Sequence, residues 1–357
     1  MPVALTGPAH VPLLATTRGV ADRMAPPPGP IAADPLRGRD TVECMHYGSI
    51  AIVDEHGALV AQAGDPEGLN FTRSTLKPLQ ALPFVEDGGL AHYGFGSQEL
   101  ALMCASHSGE TMHTALAQSI LDRSGATVAD LQCGQHPPRF YEATGTSVPQ
   151  GLVASALHHN CSGKHSGFLA YCRLHHHTLG GYLDPDSPLQ IRVRNCVQRF
   201  APGQTLVAGT DGCSAPNFAL PLRCLAHTYC RIAADTDPAL QAIFYAMTRH
   251  PDLVSGTART DLALMQAGAG DWVCKIGADG MQTVGVRSHC LGIAIRMAGG
   301  DARALHVATA EVLHQIGLLD EPLRSPLAHH FRPAARNARG TETGRYRPLF
   351  TLPRLVS

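Results

Sequence analysis

Residues 272–286, WVCKIGADGMQTVGV, and 290–298, CLGIAIRMA, decide the fold class. Two runs rich in Val, Ile and Thr flank the turn signal Ala278-Asp279-Gly280, and a third apolar run follows. That pattern predicts a hairpin and a further strand. Near the other end, YGSIAIVDEHGALVAQ (47–62) breaks at Asp54-Glu55-His56-Gly57 and predicts a second hairpin. Between these ends, helical periodicity runs through 97–104, 110–123, 164–175, 188–200, 218–233 and 237–249, with Gly, Pro and Asp in the gaps. Residues 205–209 suggest a short strand, 301–318 an amphipathic helix, and GTETGRYRP (340–348) a last edge strand. The expected fold is α+β, an α/β sandwich. One domain over about 41–350 would carry an antiparallel sheet from both ends (41–75 and 270–350) and an inserted helical part (76–269).

The chain has 357 residues, 44% of them apolar and 16% charged, enough for a large core. A net charge of -1 without any basic, aromatic-rich stripe argues against nucleic acid as a partner. No apolar window approaches the ~18 residues of a spanning helix, so no membrane is expected. Residues 1–40 are rich in proline, and prolines interrupt every apolar stretch there. They predict a partly disordered extension rather than a secretory signal; residues 351–357 form a tail. Eleven cysteines, scattered through apolar segments, suit reduced core thiols in a cytoplasmic protein.

Of 28 basic residues only Lys77, Lys164 and Lys275 are lysines. Arginine keeps its proton in proteins, whereas a buried lysine can lose it and act as a base. The three lysines therefore mark sites where charge alone does not suffice. Lys77 completes Ser74-Thr75-Leu76-Lys77 at a predicted helix start, with Ser74 suited to the N-cap. A spacing of three puts both side chains on one face, so a desolvated Lys77 would take the Ser74 proton. Ser106-His107-Ser108-Gly109 and then Lys275-Ile276-Gly277 follow. S-x-x-K, a serine motif and K-x-G occur in that order in penicillin-binding proteins and class A β-lactamases.

Lys164 lies in Asn160-Cys161-Ser162-Gly163-Lys164, and Cys213 in the turn Asp211-Gly212-Cys213-Ser214. Two thiolates can hold Zn²⁺, but lysine must first lose its proton, and spacing alone favours two isolated cysteines. Arg259, in Gly256-Thr257-Ala258-Arg259-Thr260-Asp261, either clamps a substrate carboxylate or pairs with Asp261 at a helix start.

These stretches together resemble the asparaginase II family, the Rhizobium etli-type L-asparaginases. The resemblance runs through TRG (17–19), VECMHYGSIAIVD, GDPEGLNFTRSTLKPLQALP, CASHSGE, HNCSGKHSGFLAYC, GTDGCSAPNFALPL, HPDLVSGTARTD, KIGADGMQTVGV and RNARGTETGR. This chain departs from the family pattern by an insertion between TRG and VECMH, and by Ser214 where glycine is usual. The resemblance implies a fold similar to serine β-lactamases and glutaminases, and a homodimer that hydrolyses L-asparagine to aspartate and ammonia. It implies two Ser-Lys pairs, Ser74 with Lys77 and Ser106 with Lys275. Arg259, Asp261 and His107 would bind substrate, and Cys161, Lys164 and Cys213 would hold Zn²⁺ beside them. Two alternatives remain at this level: a penicillin-recognising or glutaminase-like serine amidohydrolase, and a non-enzymatic protein that binds zinc or an amino acid.

Overall fold

A computed structural model describes residues 9–18 and 41–356. The strands are β1 Val11–Arg18, β2 Thr41–Val53, β3 Leu59–Ala63, β4 Leu69–Phe71, β5 Val207–Thr210, β6 Pro216–Pro221, β7 Trp272–Gly277, β8 Met281–Val286, β9 Leu291–Met297, β10 Ala334–Arg336 and β11 Glu342–Pro348. The helices are α1 Lys77–Glu86, α2 Gly89–Tyr93, α3 Ser97–Met103, α4 Thr111–Ser124, α5 Arg139–Thr144, α6 Ser162–Leu174, α7 Pro188–Phe200, α8 Leu222–Ala234, α9 Pro238–Arg249, α10 Pro251–Val254, α11 Thr260–Ala267 and α12 Ala302–Gln315.

An antiparallel sheet in the order β10-β11-β1-β2-β9-β8-β7 forms the frame, with β3 on β2 beside β1. The helices from α1 to α11 lie between the two halves of this sheet in sequence, so the architecture is α+β as expected. Both predicted hairpins are present, turning at the expected residues. A second sheet, β4-β6-β5, stands apart and carries the turn that holds Cys213.

Two positions explain how the frame meets the helices. Gly285 and Gly292 are cross-strand partners on β8 and β9. A Cβ on either would lie 2.1 Å from Tyr229 O or 2.0 Å from Ala226 O, so α8 rests its backbone directly on the sheet. Only glycine permits that approach. The remaining core is apolar and continuous from β1 to Val356.

Three segments differ from expectation. Residues 11–18, inside the supposed extension, form β1, which pairs with both β2 and β11. The rest of that extension, residues 9 and 10 excepted, lies outside the described residues. Consequently β11 is not an edge strand; β10 is. Residues 351–356 are not a free tail, because Leu352 N–H donates to Gln315 Oε1 and Val356 N–H to Ile316 O. Among the described residues no helix is long and apolar enough to cross a membrane. All eleven cysteines are unpaired, and nine are buried.

Candidate active site

The loop from β4 into α1 does not cap the helix at Ser74. Residues Arg73–Leu76 form a 3-10 turn, and α1 begins at Lys77 with Pro78 in its first turn, where a missing N–H costs nothing. Arg73 adopts a left-handed φ of 51°, a conformation that disfavours side chains. Asn217 holds it there, accepting from Arg73 N–H at 3.1 Å and donating to Arg73 O at 3.1 Å. The Arg73 guanidinium donates to Asp211 at 2.8 Å and also reaches Asp279.

Lys77 is fully buried. Its amine contacts three groups: the carbonyls of Ala105 and of Asn160 (3.3 Å), and Ser106 Oγ at 2.9 Å. No hydrogen bond joins it to Ser74. The side chain runs inward to the end of α3 instead, so the hydroxyl that shares its turn is not the one it meets. The contact set has a chemical consequence. A neutral amine has two N–H groups and one lone pair. The amine donates to both carbonyls and to Ser106 Oγ, an arrangement that only the loss of a proton turns into acceptance of the Ser106 hydroxyl proton. Ser74 and Ser106 nevertheless line the same cleft, about 370 Å³ in volume, together with Asn160, Arg259, Gly277 and His306.

Lys275 is likewise fully buried, but it does not pair with Ser106. Its amine donates to Ile276 O at 2.8 Å and lies 3.5 Å from Asp261 Oδ2. Burial lowers its pKa to about 8, with Asp261 opposing the shift and Lys77 adding to it. Asp261 also accepts from Ile276 N–H at 2.8 Å and from Gln282 Nε2 at 3.0 Å. It is thus a partner of Lys275 behind the cleft, not a lining residue. Arg259 does line the cleft and, among the described residues, forms no ion pair, so the Arg259–Asp261 helix pair is absent. His107 is buried behind Ser106. Gly109 N–H donates to its Nδ1 at 3.1 Å, so Nε2 carries the proton and donates to Ser162 Oγ at 2.9 Å. Burial holds its pKa well below the usual imidazole value. His107 therefore ties the Ser106 loop to the start of α6.

Cys161 and Lys164 open α6, and Cys213 faces them from the turn after β5. Lys164 Nζ donates to Cys213 Sγ at 3.0 Å. The hydrogen bond between the two thiols, helped by the Lys77 and Lys164 charges, holds Cys161 well below the ordinary thiol range and pushes Cys213 up. Among the described residues no three His, Cys, Asp or Glu side chains are grouped to hold a metal ion. Against the opposing effect of burial, the Cys213 and Cys161 sulfurs raise the Lys164 pKa above its ordinary value, so its amine would have to give up a proton before it could join them at a metal ion.

Sequence spacing gave no sign of His306, which reaches the cleft from α12, nor of Asn160 and Arg73. Only the left-handed turn, invisible in the letters, singles out Arg73.

No curated protein matches this chain. Two solved structures of Mglu, one described as its native form in the presence of 4.3M NaCl and one as its native form, share 17% and 16% identity. Their TM-scores are 0.36 and 0.35, and they cover 82% and 77% of this chain. The chain spans 62% and 66% of theirs, under two thirds in each case. The profile of the L-asparaginase II family matches residues 35–348, which include every candidate site residue above. The chain belongs to the L-asparaginase II family.

Proposed function

We propose that this protein hydrolyses the side-chain amide of L-asparagine to L-aspartate and ammonia through a serine nucleophile and a Ser-Lys proton relay. The observation that carries the mechanism is the 2.9 Å contact between Lys77 Nζ and Ser106 Oγ on a cleft shared with Ser74. Ser74, the less buried of the two hydroxyls, attacks the amide carbon. Its proton passes over Ser106 to the Lys77 amine, a step that requires the amine in its unprotonated form. The carbon–nitrogen bond breaks, the proton returns along the same route, and ammonia leaves. Water then cleaves the acyl ester and releases aspartate. Lys275, held by Asp261, supplies positive charge beside the relay. A second assignment, in which Ser106 itself attacks, is favoured by its direct contact with Lys77.

Zn²⁺ held by Cys161, Lys164 and Cys213, and assembly as a homodimer, rest on the family resemblance. The two sulfurs suit the metal, and the Lys164 amine would join them only after losing the proton it now gives to Cys213. Bound there, zinc would supply a Lewis-acidic charge for orienting a polar end of the substrate.

The test is ammonia release from asparagine and from glutamine, combined with mass-spectrometric trapping of the acyl-enzyme. If Ser74 attacks, Ser74→Ala forms no adduct, whereas Ser106→Ala still acylates slowly. The reverse pattern makes Ser106 the nucleophile. No ammonia from either amide would refute the enzyme assignment.

A further inference from the structure

Arg73 and Ser74 are neighbours in the chain, yet they line different cavities. Arg73 borders one of about 580 Å³ together with Asp211 and Asn217, whereas Ser74 lines the cleft that holds Ser106. Between the two stands the left-handed bend, φ 51° at Arg73. A side chain makes that conformation costly, so something outside the turn must hold it.

The register of the second sheet shows what does. β4 pairs with β6 through Leu69 with Pro221, Asn70 with Leu220 and Phe71 with Ala219. Thr72 N–H carries the pairing on to Phe218 O at 3.1 Å, and the next step sets Arg73 against Asn217. Asn217 is itself paired with Gly209 on β5. Toward Arg73 its side-chain amide takes over from the backbone: Oδ1 accepts from Arg73 N–H and Nδ2 donates to Arg73 O, both at 3.1 Å. Turning the amide over would set donor against donor and acceptor against acceptor, so the two bonds are kept or lost together. Asn217 is only 2% exposed, which leaves water little room to replace them.

We propose that Asn217 is a positioning residue for the reaction: it holds Arg73 in the left-handed bend that directs Ser74 into the cleft shared with Ser106. The inference rests on the amidohydrolase reading, with Ser74 as the attacking serine, and adds a residue to it. Asn217 touches no reacting atom and acts through the backbone of Arg73. Without it the bend relaxes toward an ordinary negative φ and carries the Ser74 hydroxyl out of place.

The experiment measures ammonia release from asparagine by the wild type, Asn217→Ala, Arg73→Gly and the double variant, and solves crystal structures of the wild type and Asn217→Ala. Misplacing a nucleophile predicts a kcat about 10–100-fold lower in Asn217→Ala, with KM changed by less than about threefold. Glycine enters the left-handed region unaided, so in the Arg73→Gly background the same substitution should cost less than about threefold in kcat. A general loss of packing would cost as much in either background. In the Asn217→Ala crystal, Arg73 should stand at negative φ with Ser74 Oγ displaced. Asn217→Ser, too short to bridge both backbone groups, takes its place if the alanine variant does not fold. If Arg73→Gly is itself inactive, the crystal structure decides alone. An unchanged kcat, an equal loss in both backgrounds, or a φ near 51° in the Asn217→Ala crystal would overturn the proposal. If the wild type releases no ammonia, the enzyme reading falls, and the bend in the Asn217→Ala crystal still shows whether Asn217 holds it.

Discussion

Lys77 and Ser106 sit 29 residues apart in sequence, yet the lysine amine lies 2.9 Å from the serine hydroxyl in a region closed to solvent at the lysine. Two backbone carbonyls hold the amine from the other side. The amine is thereby fixed against the serine hydroxyl, the position a proton relay requires.

Removing that acceptor tests the relay. Lys77→Met should lower kcat for asparagine by about 10²–10⁴-fold, the usual range for a positioned general base. A far-ultraviolet spectrum and melting curve would show that the fold persists. Near-normal turnover in a folded Lys77→Met protein would end the relay hypothesis.

Lys275 links stability to pH. Its folded-state pKa, about 8, lies below the ordinary 10.5, so between these values the unfolded chain binds more protons than the folded one. Stability contributed by this group should therefore rise as pH climbs from about 8 to about 10.5, and the charged amine should cost most below pH 8. Urea melts at pH 7, 8.5 and 10 on wild type and Lys275→Met would check this: the rise should flatten in the variant.

Asp261→Asn leaves the buried Lys275 amine without its carboxylate. Breaking a buried ion pair from one side costs about 3–5 kcal/mol. Chemical denaturation should show a loss of that order near neutral pH, shrinking at pH 10 where the amine is neutral. A loss independent of pH would mean that the carboxylate's bonds to Ile276 N–H and Gln282 matter more than the ion pair.

Ser214 occupies a left-handed conformation, φ 68°, in the turn beside Cys213. Glycine would adopt that conformation without the penalty a side chain carries. Ser214→Gly should relieve strain of about 1–2 kcal/mol, partly offset by the greater freedom of glycine in the unfolded chain. The expected net gain is about 0.5–1 kcal/mol. An unchanged or lower midpoint in denaturant would show that the serine is comfortable as it stands.

Metal content is directly measurable. Purified wild type should carry about one Zn²⁺ per chain, and Cys161→Ala should carry far less. Equal zinc in both proteins would remove Cys161 from the ligand set.

The parts legible in the sequence were those with a long, regular pattern. β2, β3 and the β7–β8 hairpin are apolar, β-branched runs around clear turn signals, and α4, α7 and α9 keep helical periodicity for 14, 13 and 12 residues. β1 was missed because its eight residues, VPLLATTR, adjoin proline-rich sequence and gain their order from pairing with β2 and β11. β4 and α10, of three and four residues, are too short for any periodicity. At the site, the scarcity of lysine marked Lys77, Lys164 and Lys275, all of which prove buried. What they touch was not legible. Helical spacing joined Lys77 to Ser74, but a long side chain in a packed interior goes where acceptors are, and those belong to Ala105, Ser106 and Asn160. Asp261 and His107 were visible as polar residues near motifs, while their bonds to Lys275 and Ser162 depend on the packing of separate segments.

The pairing of β1 with β11 sets a timetable for the nascent protein. Leu14 lies opposite Pro348, so a strand made among the first must wait for one made among the last. Until then β1 keeps its outer edge open, a place where two unfinished chains can stick together. A rearranged gene that joins these two strands through a short linker, and starts the chain at an exposed loop elsewhere, should let the sheet close sooner and fold with less aggregation.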